Sequence, residues 1–265
     1  MAEPIYRKIL QARLRGQLSY RGSFVLDLVA QSVAQTGELV VILVLFNRVN
    51  ALGGFSVDEV LLMYALAGTA FGVADLFAGQ LNALPTYIRD GSFDVLLLRP
   101  LGTLPQLMAS DLPLKRVGRV LAGLVVLGYS LAHNAIAWSP WTIVLLAVTP
   151  IAGAVIFGGV WVIACSVCFW LVEGRELANS VTYGSNTFTS YPISVYSGWL
   201  RRVMAFVVPG AFVAYYPALA LLGRADPLGA PAWLGWIAPL VAAGVAGLAG
   251  LTWRFAVRHY RGTGS

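Results

Sequence analysis

Four polar side chains recur along one apolar stretch: Asp27, Gln31, Gln35 and Glu38. Their spacing of four, four and three puts them within about an 80° arc of a helix. Such a stripe does not face lipid, because an unpartnered charge in hydrocarbon is costly. Three chemistries fit it: a route for a cationic or polar substrate, a helix interface bonded through amides, or acids protonated by burial. Asp75 lies near the end of the next apolar run, at a depth similar to Asp27, and joins the pathway candidates. A second spacing, Cys165-x-x-Cys168, is one that can bind metal or do redox chemistry. Here the flanks read "VIACSVCFW" and neither His133 nor His259 is near in sequence, so the pair reads as small packing residues. No catalytic triad, metal set or nucleotide-binding set is legible. A phosphate-binding loop ends in Gly-Lys-[Ser/Thr], whereas the two lysines, Lys8 and Lys115, follow Arg7 and Leu114. If the protein works with ATP, another chain binds it.

The elements that hold these groups follow from composition. Of the 265 residues 58% are hydrophobic and 11% charged, with mean hydropathy +0.75. Soluble domains carry about 25% charged residues, so this chain has the bilayer as its solvent. Its net charge of +6 acts through position rather than sum, and nucleic acid is not an expected partner. Six stretches approach the roughly 20 apolar residues of a helical crossing: about 24–47, 60–80, 117–138, 141–171, 203–222 and 233–254. The expected fold is an all-α membrane protein, one transmembrane domain over 1–265. Pro150 predicts a kink in the fourth span, and Pro209 and Pro217 predict breaks in the fifth.

Basic residues orient the spans. With six crossings, 16 of the 18 Lys and Arg fall on one side, including Arg175, Arg201 and Arg202, and only Arg48 and Arg224 on the other. The positive-inside rule makes the rich side cytoplasmic. Both termini then lie in the cytoplasm of a multi-pass protein. Residues 1–22 show no cleavable leader. They form a basic amphipathic segment with Ile5, Ile9, Leu10, Leu14 and Leu18 on one arc, an interfacial anchor or a lever touching a cytoplasmic partner.

Two polar segments interrupt the apolar pattern. Residues 84–115 contain "YIRDGSFDVLLLRPL", which on its own chemistry reads equally as a solvated interfacial loop or a docking helix. Residues 183–202, "YGSNTFTSYPISVYSGWLRR", carry Tyr183, Tyr191, Tyr196 and Trp199. They read as an aromatic belt at the cytoplasmic interface or as a gating element there.

The run "GSFDVLLLRPL" after span two, the later "SYPISVYSGWLRRVMAFVVPGAFVAYYPALALL" and the basic tail "RHYRGTGS" together resemble the permease subunits of type 2 ABC transporters, the export class. The resemblance covers essentially the whole chain and points to a bacterial subgroup with paired permeases and a separate ATPase. It implies a location in the cytoplasmic (inner) membrane, a second permease as a different chain, and two copies of an ABC ATPase. No cofactor is implied in this chain; ATP and Mg are bound by the ATPase. The resemblance makes 87–101 the coupling helix. Gly91 gives the sharp turn, Ser92 the cap, Phe93, Leu96 and Leu97 the apolar face, Asp94 and Arg99 the partner contacts, and Pro100 the stop. Many members carry re-entrant helices between spans five and six. Here that loop, "GRADPLGAPA", is only about ten residues, so any such element must come from span five itself.

The expected function is the membrane subunit of an ATP-driven exporter of small hydrophobic or cationic compounds, not an enzyme by itself. An ion-coupled secondary transporter using Asp27, Glu38 and Asp75 as proton carriers is the alternative. A membrane-embedded enzyme lacks a catalytic set.

Overall fold

The computed structural model describes residues 21–110, 116–171 and 174–260. The amphipathic segment expected over 1–22 falls almost wholly outside them. Among the described residues the chain is helical, with one isolated β-bridge, Leu52–Phe55.

The long helices are α1 (Arg21–Phe46), α2 (Val57–Ala78), α6 (Val117–His133), α7 (Pro140–Ser166) and α11 (Ala238–Arg258). Their starts are written in local chemistry. Ser56 caps α2 in a reciprocal box with Glu59, and Ser139 caps α7 with Thr142 ahead of Pro140. Among the described residues three segments are long and apolar enough to cross a membrane: Val57–Arg89, Pro140–Phe169 and Ala238–Arg258. The first continues past α2 through a 3₁₀ turn (Gly79–Ala83) into α3 (Leu84–Arg89). α7 remains helical through Pro150.

α2 is the hub, buried along nearly its whole length. α6, α7 and α8 (Arg175–Thr189) pack around it, α1 lies on α6, and α11 lies on α7. α4 (Ser92–Leu97) and α5 (Thr103–Ala109) close one end. That end also carries Arg116, Arg119, Arg254 and Arg258 and is called the basic end below.

The expected fifth span, 203–222, is not one helix. It divides into the end of α9 (Gly198–Phe206), a 3₁₀ turn (Gly210–Phe212) and α10 (Tyr215–Leu222). Residues before and after it bind the same turn at the far end of the bundle: Ser194 Oγ donates to Gly53 O at 2.9 Å, and Arg224 Nη2 to Gly54 O at 2.6 Å. α9 and α10 thus leave and return at one end, as a re-entrant hairpin. α8 instead runs between the two ends of the bundle. It starts beside Cys168, packs Tyr183 on Phe71 and Trp161, and delivers the chain to Ser194. Its 15 residues are about 22 Å long. Arg201 donates to Tyr196 O on this far side, so Arg201 and Arg202 leave the basic-end set in which charge counting places them. The segment 183–202 likewise runs toward the far end, not along the basic one.

Candidate functional site: the α4 segment and the polar groove

α4 is shaped by a glycine. Gly91 has φ +68°, the left-handed conformation that turns the chain between α3 and α4. The Ser92 cap is not formed: Gly91 takes the capping position, and Ser92 is the first helical residue, without a side-chain cap bond. Pro100 follows the helix end by three residues, in keeping with the expected stop. Gln106, buried on α5, donates through Nε2 to Leu96 O (3.1 Å) and Leu101 O (2.9 Å) and so satisfies carbonyls at the end of α4.

The apolar face divides in two. Phe93 and Leu96 are buried, whereas Leu97 points out with Val95 and Leu98, beside exposed Asp94, Arg99 and Pro100. Leu98 is 84% exposed. Inward, the Phe93 ring meets Phe169 edge-on at 5.1 Å and Tyr260 at 5.0 Å, and Phe169 meets Trp253 at 5.4 Å. Phe169 closes the 3₁₀ turn (Val167–Phe169) that follows α7, Trp253 lies near the end of α11, and Tyr260 is two residues beyond it. Trp253 Nε1 also donates to Thr103 Oγ1 of α5 at 3.0 Å. The Tyr260 phenol is held above its ordinary pKa, first by burial and then by the Asp94 carboxylate. α4 is therefore keyed to the ends of two long helices.

Beside this end lies a polar cluster. Asp75 of α2 is 5% exposed and meets two guanidiniums of α6: Arg116 Nη1 and Arg119 Nη1, each 3.3 Å from a carboxylate oxygen. Arg116 also donates to Asp75 O at 2.7 Å. Gly79 makes room for this cluster, since a Cβ there would collide with the Arg116 guanidinium and the Asp75 carboxylate. Arg119 sits 5.2 Å over the Phe71 ring, which meets Phe157, Trp161 and Tyr183. Trp161 Nε1 donates to Asn82 Oδ1 at 2.7 Å. α8 turns Glu176, Ser180, Tyr183, Gly184 and Thr187 outward within about a 100° arc. Glu38 of α1 is exposed. The side chains of Asp27, Gln31 and Gln35 lie outside the described residues. Cys165 and Cys168 are buried free thiols.

The far end is held by charge. Arg224 Nη1 donates to both Glu59 oxygens at 2.6 Å, and its guanidinium lies 4.6 Å over Phe55. Phe55 meets Tyr215 edge-on at 5.8 Å, and Tyr215 Oη donates to Asp226 Oδ1 at 2.5 Å.

A family model described as "ABC-2 family transporter protein" matches residues 32–264. The chain belongs to that family. No curated protein and no solved structure matches it. As an ABC-2 transporter component it is a multi-pass membrane permease whose partners are ABC ATPase subunits. Its all-α fold agrees with the family. For a permease, three residues that sequence reasoning passed over stand out. Val95 and Leu98 enlarge the exposed face of α4, and Gln106 fixes its end. A run of four apolar residues before Arg-Pro signals the first two; nothing in the sequence signals Gln106.

Proposed function

We propose that this permease is the membrane half of an exporter for small hydrophobic or cationic compounds, paired with a second, different permease and driven by two copies of a separate ATPase. The observation that carries the reading is the keying of Phe93 into the aromatic cluster at the ends of α7 and α11. An ATPase docked on Val95, Leu98, Asp94 and Arg99 would push α4 when ATP closes it. Phe93 passes that displacement to Phe169, Trp253 and Tyr260, and the long helices tilt with them. The α8 hydroxyls, Tyr183 and Glu38 form the part of the wall suited to polar or cationic cargo, and the second permease completes it. Asp75 is already neutralised by two arginines, so preference for cations rests on Glu38 with Asp27. The basic end faces the cytoplasm of a bacterial inner membrane, in keeping with its arginines and with an ATPase partner.

Inverted membrane vesicles test the reading. Ethidium, a hydrophobic cation, is expected to accumulate on ATP addition, to do so in the presence of a protonophore, and to stop with Phe93→Ala. Uptake that collapses with the proton gradient and ignores ATP would establish the ion-coupled alternative through Asp27, Glu38 and Asp75. Glu38→Gln is expected to lower transport of ethidium more than that of a neutral compound of similar size.

A further inference from the structure

On the flank away from α1 the bundle leaves a cavity of about 490 Å³ between α2, α7 and α11. Small-molecule sites run from about 300 to 1,000 Å³. Phe77, Ile151, Ala154 and Gly158 line it from α2 and α7, and Gly250 from α11; Leu104 and Met108 of α5 border its basic end. Its rim is open to the membrane, with Phe77 52% and Ile151 67% exposed. Along α7 the lining runs from Pro150 to Val162, about 18 Å at 1.5 Å per residue. One leaflet of hydrocarbon is about 15 Å deep.

Charge completes the match. Ala246 and Gly250 line the groove from α11, and Arg254 and Arg258 follow at the same spacing of four. Arg254 lies one turn beyond Gly250 toward the basic end and about 40° round the helix, and Arg258 a further turn on and about 80° round. Both are exposed, and neither forms an ion pair among the described residues. We propose that this groove holds an acyl chain of an anionic phospholipid from the basic-end leaflet, with its phosphate on Arg254 and Arg258. An apolar slot of one leaflet's length takes a chain, and the guanidiniums select the headgroup. The site lies beside the Trp253–Thr103 bond, so the lipid braces α5 against α11. The proposal requires only that these helices cross a bilayer and stands apart from the transport reading.

Native mass spectrometry of the purified complex, equilibrated with equal phosphatidylglycerol and phosphatidylcholine, tests it. The wild type is expected to hold one phospholipid per permease chain and to prefer phosphatidylglycerol by roughly tenfold. A double substitution, Gly158→Leu with Gly250→Leu, fills the slot. A Cβ at Gly250 meets nothing within 4 Å, and one at Gly158 meets only Ala78 Cβ at 4.0 Å. That variant is expected to lose the lipid, while Leu248→Phe, on the opposite side of α11, keeps it. Arg254→Gln, a surface change, is expected to cut the headgroup preference about fivefold, and it decides the matter should the filled variant fail to fold. Equal binding of both lipids by the wild type, retention in the filled variant, or an unchanged preference in Arg254→Gln would overturn the proposal. So would a cross-link from Ala246→Cys to a second permease with no lipid bound.

Discussion

The two ends of the bundle are fastened by different physics. At the basic end α4 is held by ring edges: Phe93 against Phe169 and Tyr260, with Trp253 behind. At the far end the turn at 53–56 is held by Arg224 on Glu59 and Gly54 and by Ser194 on Gly53. Packed ring edges have a preferred geometry but no single bond to break, so they keep register while the packed helices shift together. A guanidinium on a carboxylate holds only in a narrow geometry and is made or broken. The first fastening suits a joint that transmits displacement, the second a latch with two states. The latch grips both ends of the re-entrant hairpin, so releasing it frees α9 and α10 together.

Substitutions separate joint from latch, and the largest effect falls on the joint. Phe93→Ala is expected to cost about 3–5 kcal/mol in thermal unfolding and to leave ATP hydrolysis without transport. Phe93→Leu should restore most of the stability but not the full transport-to-ATP ratio, because edge contacts hold α4 in register. Between the ends, Asp75→Ala strands two poorly exposed guanidiniums and is expected to cost about 3 kcal/mol; the loss should shrink when Arg119→Ala is added. At the latch, Arg224→Ala is expected to cost about 1–2 kcal/mol, since the pair is partly exposed. A double-mutant cycle with Glu59→Gln measures that coupling. Its functional mark is leak through resting vesicles rather than lost coupling, and leak from Phe93→Ala instead would break the comparison.

Legibility in the sequence follows the same divide. α2, α7 and α11 announce themselves by apolar runs, and Ser56 and Ser139 by capping boxes. Gly91 and Pro100 bracket α4 as the turn and stop they are. α8 is hidden because "RELANSVTYGSNTFT" scores as polar. Most of its hydroxyls bond its own backbone: Ser180, Thr182, Ser185 and Thr187 each donate to the carbonyl four residues back, as does Ser190 just past its end, while buried Thr189 Oγ1 has no partner among the described residues. A helix that bonds its own polar groups can cross a protein-lined interior, and hydropathy does not register it. Because α8 does not score, the apolar pattern puts the fifth span at 203–222 and groups Arg201 and Arg202 with the basic end. The Arg224–Glu59 latch joins residues 165 positions apart, a pairing that only the packed bundle creates. The Asp75 cluster is half legible: the acid stands out in the sequence, but its partners sit at the start of α6 and reach it only through the α2–α6 contact.

The smallest structural effect carries the sharpest functional test. Leu98 is a surface side chain, so Leu98→Asp is expected to change stability by no more than about 0.5 kcal/mol. The measurement is ATP hydrolysis in the eluate when the tagged permease is purified from its native membranes. An ATPase is expected to copurify with the wild type and to be lost from Leu98→Asp at unchanged permease yield. An ATPase retained in full by Leu98→Asp, and by Leu98→Asp combined with Val95→Asp, would contradict the claim that α4 is where the motor meets the membrane.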